Sequence, residues 1–146
     1  MAETLIFGSP ERDVQYTERR AAYVVITVGC NVATVRPRQK HFLPGGGSLP
    51  NEAPEDTIAR EVQEELARGV RLTRKLGEAV QYFYSPTDER HYRMHATFFA
   101  GEFTDEARGA GEHELHWLPA TEAEGACFHA CHAWAIRNAF ILRGAA

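Results

Sequence analysis

Cysteine is scarce in this chain. Cys30, Cys127 and Cys131 are its three, an odd number that builds no paired framework and suits a reducing compartment. Positive charge is also short: 16 Lys and Arg against 20 Asp and Glu leave a net charge of −4. Such a balance gives no general attraction to polymeric nucleic acid or to an anionic membrane, although a cation can still mediate binding of an anionic small molecule. Long apolar runs are missing, and with them any segment able to cross a bilayer. The N-terminus, with Glu3 and the short Leu5-Ile6-Phe7 run, lacks the basic start and apolar core of a signal peptide. A cytoplasmic location is the expectation. No repeat, low-complexity tract or linker interrupts the 146 residues. They read as a single domain, 1–146, able to bury about two thirds of its unfolded surface.

What the chain does contain is concentrated between Gly45 and Glu65. A glycine-rich loop, Gly45-Gly46-Gly47, leads to Glu52, Arg60, Glu61, Glu64 and Glu65 at fixed spacing. Pro54 suits the first turn of a helix, where its missing donor would be unpaired anyway. Ala53 before it is a poor cap, so the helix start depends on its surroundings. Ile58, Val62 and Leu66 recur at i, i+4 and i+8 and predict an apolar stripe on a helix from Pro54 to about Leu66. At about 100° per residue, Glu61, Glu64 and Glu65 fall in an arc of roughly 100° beside that stripe, with Arg60 next to Glu64. Carboxylates so close repel unless something positive lies between them. Hard oxygen ligands suit magnesium or manganese, with water and substrate phosphate completing the shell. A solvated acidic face is the common fate of a bare E-x-x-E-E. The loop, Glu52 and Arg60 favour a metal site instead.

Elsewhere, the first segment through about Pro10 reads as a short strand. Ala21 to Val28 is β-branched and apolar, a central strand; Gly29-Cys30-Asn31 is a turn, and Val32 to Val35 the returning arm. Arg36, Arg38 and Lys40 form a small basic group, either an exposed loop or a contact for substrate phosphate. Val70 to Leu76 and Ala79 to Tyr84 have strand-like content, Ser85-Pro86-Thr87-Asp88 is a turn, and His91 to Phe103 is expected to pair with the preceding strand. Leu115 to Leu118 is another short strand, ended by Pro119. From Thr121 to Leu142 the pattern is helical, with Phe128, Cys131, Trp134 or Ala135, Ala139 and Leu142 as its buried stripe. On one helix Cys127 and Cys131 share a face while His129 points away, so these residues read as core rather than as a zinc site. Strands on both sides of a mid-chain helix, with a closing helix, indicate an α/β sandwich over a mixed sheet. A symmetric interface leaves no local signature, so a homodimer stays open.

The acidic segment resembles the signature box of the Nudix hydrolases, G-x5-E-x7-R-E-U-x-E-E-x-G-U with U apolar. Gly46, Glu52, Arg60, Glu61, Val62, Glu64 and Glu65 fall in place within residues 46–68. With roughly 5–7% chance at each fixed position, an accidental match in a chain this long is expected about once in a hundred thousand or less. Two positions depart from the pattern. The ungapped register ends on Ala67 and Arg68, while Gly69-Val70 supply the glycine and apolar residue two places late, as if the turn were longer. Asn51 replaces the glycine usual before the first glutamate, and it too tolerates a left-handed turn. Outside the box, Tyr16-x-x-Arg19, Ala21-Ala22-Tyr23, Leu43-Pro44-Gly45-Gly46-Gly47, Gln81-Tyr82-Phe83-Tyr84-Ser85 and Glu114-x-x-Trp117-Leu118 look like segments of small bacterial Nudix proteins, in order.

The resemblance implies a Nudix-type α/β/α sandwich with a mixed central sheet (α/β, or α+β, in class) over essentially the whole chain. It implies hydrolysis of a nucleoside diphosphate linked to another moiety, X, giving a nucleotide and phosphorylated X, with Mg2+ or Mn2+ as cofactor. The implied partner is a nucleotide-type small molecule. By the same analogy Glu61, Glu64 and Glu65 form the metal site, Glu61 and Glu65 being the strongest ligands and Gly46 offering a carbonyl. Gly45, Gly46, Gly47 and Arg19 form the phosphate loop, and Arg60 and Glu52 orient the glutamates. The base is either a box glutamate such as Glu64 or a residue of the loop before Trp117, where Glu112 is the candidate ahead of His113 and Glu114. Pro86 lies sixteen residues beyond Val70, where ADP-ribose hydrolysing members carry proline; Tyr84 lies sixteen beyond Arg68, near the tyrosine of dinucleoside polyphosphate hydrolases. The two registers point to different substrates. Tyr82, Phe83, Tyr84 and Tyr92 are candidates for stacking on a base, or core. A metal-dependent hydrolase of ADP-ribose, nucleotide sugars or similar compounds is the leading reading. Beside it stand a house-cleaning nucleoside triphosphate pyrophosphohydrolase and a non-catalytic ligand-sensing module of the same fold.

Overall fold

Ala21 to Ile26 is buried at every position, which a strand achieves only when both faces of its sheet are covered. A computed structural model, describing residues 4–144, shows how. Ala21, Tyr23 and Val25 pack into one apolar cluster with Met94, Phe98, Ala135 and Ile136. Ala22, Val24 and Ile26 point the other way, onto Ile58, Val62 and Phe99. The period-2 alternation of a single strand thus divides the core between two helical layers.

The elements are β1 (Leu5–Phe7), β2 (Thr17–Val28), β3 (Asn31–Val35), β4 (Gly45–Gly47), α1 (Pro54–Leu66), β5 (Val70–Ser85), β6 (Arg90–Phe103), β7 (Leu115–Pro119), α2 (Ala120–Ala126) and α3 (Ala130–Gly144). Seven strands form one mixed sheet in the order β1-β5-β6-β2-β3-β7, with β4 also paired to β2. The β1–β5 and β2–β6 pairs are parallel; β5–β6, β2–β3, β2–β4 and β3–β7 are antiparallel. Helix α1 covers one face and α3 the other, so the α/β/α sandwich over a mixed sheet is what the chain forms. None of the helices among the described residues is long and apolar enough to cross a membrane.

Three local expectations change. Val70–Leu76 and Ala79–Tyr84 are one strand, carried past irregular pairing at Leu72/Arg74 and Lys75/Gly77 by β-bulges. Gly77, at φ 143°, sits in that second bulge. Strand β2 begins at Thr17 rather than Ala21, because its polar start pairs in parallel with β6 from Tyr92 onward.

The third concerns the C-terminal helix, which is two helices. Cys127 is extended and forms a parallel bridge with His41, while the Phe128 N–H donates to the His41 carbonyl at 3.0 Å. This long-range pairing pulls the chain out of helical geometry for three residues. Phe128, expected in the buried stripe, is instead an exposed residue of the break.

Candidate active site

The glycine strand β4 is closely packed, and at Gly45 no side chain fits. A Cβ on Gly45, whose φ is 138°, would stand 2.2 Å from the Ala22 carbonyl oxygen. On Gly46 it would stand 2.9 Å from the Glu61 carboxylate, and on Gly47 3.0 Å from the Arg19 guanidinium. The Gly45 contacts are with backbone that cannot give way, so this glycine lets β4 close onto β2, while Gly46 and Gly47 take the ends of the Glu61 and Arg19 side chains against their bare backbone. Arg19 itself has its Nε buried without an acceptor among the described residues.

Arg60 ties the site together. Its Nε and Nη2 each donate to a different oxygen of Glu52 at 2.9 Å. Nη2 also donates to the Gly47 carbonyl at 3.0 Å, and Nη1 to Glu61 at 2.9 Å and to Glu64 at 3.3 Å. A planar fork makes this set of contacts; an ammonium could not. The Arg60 guanidinium, the Leu49 N–H and the Thr57 hydroxyl hold the Glu52 carboxyl down at about 2, and the same bonds push the arginine up. The loop between β4 and α1 is completed by Asn51 at φ 65°, the left-handed turn its residue type allowed.

Glu65 is buried, and its Oε1 accepts the Gly45 N–H at 3.0 Å. Burial pushes its carboxyl up to about 8, helped by the charges of Glu61, Glu112 and Glu64. Glu61 is raised by the same two causes, against the pull of Arg60. Glu64 is exposed, and among the described residues its side chain bonds to Arg60 alone. Glu112 arrives from the loop between β6 and β7, because its N–H and that of His113 donate to the last carbonyls of α1, Glu64 at 3.0 Å and Glu65 at 2.9 Å. Gly111 makes this docking possible, since a Cβ there would lie 2.2 Å from the Glu65 carbonyl oxygen.

Contacts join Arg19, Gly45, Gly46, Gly47, Glu52, Arg60, Glu61, Glu64 and Glu65 in one network, and Glu112 docks by its backbone at the end of α1 next to it. Among the described residues no three acidic, His or Cys side chains yet converge on one point, because Glu61 and Glu64 both turn to Arg60. The donor set nevertheless fits a hard divalent cation. Two carboxylates held up by burial and mutual repulsion are relieved by positive charge, and the bare Gly46 backbone leaves space beside Glu61.

The end of α1 settles the register left open by the sequence. Ala67 takes φ 55°, the left-handed conformation for which glycine is preferred, so the ungapped alignment is the structural one. Arg68, in the apolar position, lies over the Phe103 ring at 3.8 Å from its centroid and donates to the Asp105 carbonyl at 2.9 Å. A guanidinium stacked on an aromatic ring serves there as an apolar cover.

Beside the carboxylates opens a cavity of about 570 Å3, lined by Arg19, Glu61, Glu65 and the three glycines and by Phe42, Phe83, Phe128 and His129. Of the four aromatic candidates, Phe83 and Tyr92 line it. Tyr82 packs against Tyr16, and Tyr84 is exposed beside His91. Strand alternation divides them. Phe42, Phe128, His129, Arg20 and Thr57 were not foreseen. Arg20 donates to the Leu49 and Glu52 carbonyls, and buried Thr57 donates to Glu52 at 2.7 Å. Thr57 stands one turn into α1 from the first box glutamate, which is the only signal that could have found it.

A family model for the NUDIX domain matches residues 17–139. The chain belongs to the NUDIX family of hydrolases. No curated protein matches it significantly. Solved structures of the same fold include a NUDIX hydrolase from Nitrosomonas europaea, 17% identical, with TM-score 0.67 over 86% of this chain and 90% of that one. An ADP-ribose pyrophosphatase from Streptococcus suis is 16% identical, with TM-score 0.62 over 84% and 92%. The dihydroneopterin triphosphate pyrophosphohydrolase of E. coli is 19% identical, with TM-score 0.64 over 80% and 91%. Members of the family generally use divalent metal ions and act on small nucleotide-type substrates.

Proposed function

We propose that this chain hydrolyses the pyrophosphate bond of nucleoside diphosphate derivatives, ADP-ribose, a nucleotide sugar or a similar compound, to a nucleoside monophosphate and phosphorylated X. The observation that carries this reading is the shared wall of two features. Glu61, Glu65 and the glycine strand line the same cavity as Phe42, Phe83 and Phe128. A diphosphate and a ring system attached to it need both surfaces.

Glu61 and Glu65, with Glu64 and the Gly46 carbonyl beside them, would hold magnesium or manganese; when bound, the cation lowers the pKa of water and screens the diphosphate. The chain's own residues do the positioning on which phosphoryl chemistry depends. Gly45 to Gly47 let phosphate oxygens approach the backbone, and Arg19, with its free Nε, neutralises them. Arg60 keeps Glu61 and Glu64 oriented while Glu52 keeps Arg60 in place. Glu112, exposed beside the end of α1 and electrostatically coupled to Glu61 and Glu65, takes the proton of the attacking water.

Release of phosphate-linked product from ADP-ribose, nucleotide sugars, dinucleoside polyphosphates and nucleoside triphosphates, with magnesium or manganese and a Glu65→Gln control, tests the reading. Turnover that requires the cation and vanishes in the control supports it, and the rates rank X. A folded, cation-binding protein that turns over none of these compounds overturns it in favour of a ligand sensor.

A further inference from the structure

The cavity that holds the carboxylates and glycines also carries a cationic cover. The segment between β3 and β4 is a loop pinched at its base, where Val35 and Phe42 exchange N–H···O bonds of 2.9 Å each way. Facing it, the turn between β5 and β6 rises from Phe83. The two tips meet, Arg38 Nη1 donating to the Thr87 hydroxyl. Phe42 and Phe83 thus lie at the roots of two loops whose tips close over them, with Phe128 and His129 filling the floor between.

Arg38 and Lys40 both line this cover. Neither is in an ion pair among the described residues. Among the described residues that line the cavity, Asp88 is the carboxylate on the facing turn; it accepts a hydrogen bond from the Tyr92 hydroxyl at 2.7 Å, and its single charge does not balance the two cations. Arg38 and Gln39 are held at φ 54° and 72°. Two successive non-glycine residues in that region cost roughly 1–2 kcal/mol each. Such a cost in a loop that aims cations into an apolar cavity points to a ligand rather than to stability.

Resting on the reading that a nucleotide occupies the cavity, we infer that the nucleoside moiety carries a second phosphate of its own. A ring seated on Phe42, Phe83 and Phe128 brings its ribose beneath Arg38 and Lys40, and a 2′- or 3′-phosphate there displaces Thr87 from Arg38. Arg38 and Lys40 are then specificity residues for 2′- or 3′-phosphorylated nucleoside diphosphate derivatives. They discriminate against counterparts with an unmodified ribose.

Calorimetric titration of the metal-free protein with AMP, adenosine 2′,5′-bisphosphate and adenosine 3′,5′-bisphosphate tests this without turnover, so it can fail independently of the hydrolase assay. One bisphosphate is expected to bind roughly tenfold to a hundredfold more tightly than AMP, as charge-assisted hydrogen bonds to one phosphate give, and to lose that margin as salt is raised. Arg38→Gln and, separately, Lys40→Gln are expected to shrink the ratio, each checked for an unchanged thermal melt. Equal affinities within about twofold, a preference that survives both substitutions, or no binding of any of the three nucleotides overturns the inference.

Discussion

The guanidinium of Arg60 grips both carboxylate oxygens of Glu52, at 2.9 Å each, across eight residues of sequence. With its remaining nitrogen it spans Glu61 and Glu64. One side chain therefore joins the glycine strand, the loop after it and the acidic face of α1.

Arg60→Ala is expected to weaken magnesium affinity although no ligand is removed, because Glu61 and Glu64 lose their orientation and Glu52 is left unpaired. Arg60→Lys should recover little, since an ammonium cannot form the bidentate pair. Cation titration followed by calorimetry measures this. Unchanged magnesium affinity in Arg60→Ala removes the orienting role.

Glu112→Gln is expected to lower turnover by about two to four powers of ten, the usual effect of deleting a general base. Gly111→Ala should act on the same step. Its Cβ would collide with the Glu65 carbonyl and push the loop carrying Glu112 off the end of α1. The two changes combined should cost little more than one alone. A loss below about threefold in Glu112→Gln assigns the base to a box glutamate instead.

The buried histidines should draw on stability on the acid side of neutrality. Burial lowers His129 from 6.5 to about 3 and His132 well below its ordinary value, where its Nδ1 accepts the Leu43 N–H at 3.1 Å. Below pH 6.5 the unfolded chain takes up protons that the folded chain refuses. Each such histidine therefore costs up to roughly 1.4 kcal/mol per pH unit from about pH 6.5 down to about pH 3, while Glu65, raised by burial to about 8, offsets one histidine's slope down to its ordinary 4.5. Urea midpoints at pH 7 and pH 5 measure the slope, and His129→Phe should flatten it. An identical slope in that variant removes His129 from the account.

Ala67→Gly should stabilise the fold by roughly 0.5–1 kcal/mol, because glycine adopts positive φ without the clash of a Cβ. At this chain length that raises the melting temperature by about 2–4 °C. A lower melting point would mean that the buried methyl outweighs the backbone strain.

By itself the sequence determined the elements whose signals are local. The i, i+4, i+8 stripe of Ile58, Val62 and Leu66 specified α1, since every repeat of 3.6 residues returns to the same face. The spacing of Glu52, Arg60, Glu61, Glu64 and Glu65 then put the charged groups on one side of it. The continuous apolar run from Ala21 to Val28, which marks a strand covered on both faces, was equally legible. Tertiary structure alone decided what depends on distant partners. The C-terminal helix breaks because Cys127 and Phe128 bond to His41, more than eighty positions away, and periodicity in a window cannot register such a competitor. The aromatic lining of the cavity is assembled from Phe42, Phe83 and Phe128, on three separate segments that hydrophobicity alone assigns to any core. The register at Ala67 was ambiguous because alanine does not announce a left-handed turn. Only the packing around the end of α1, with Arg68 laid over Phe103 and Glu112 bonded to the last carbonyls, supplies the free energy that keeps alanine there.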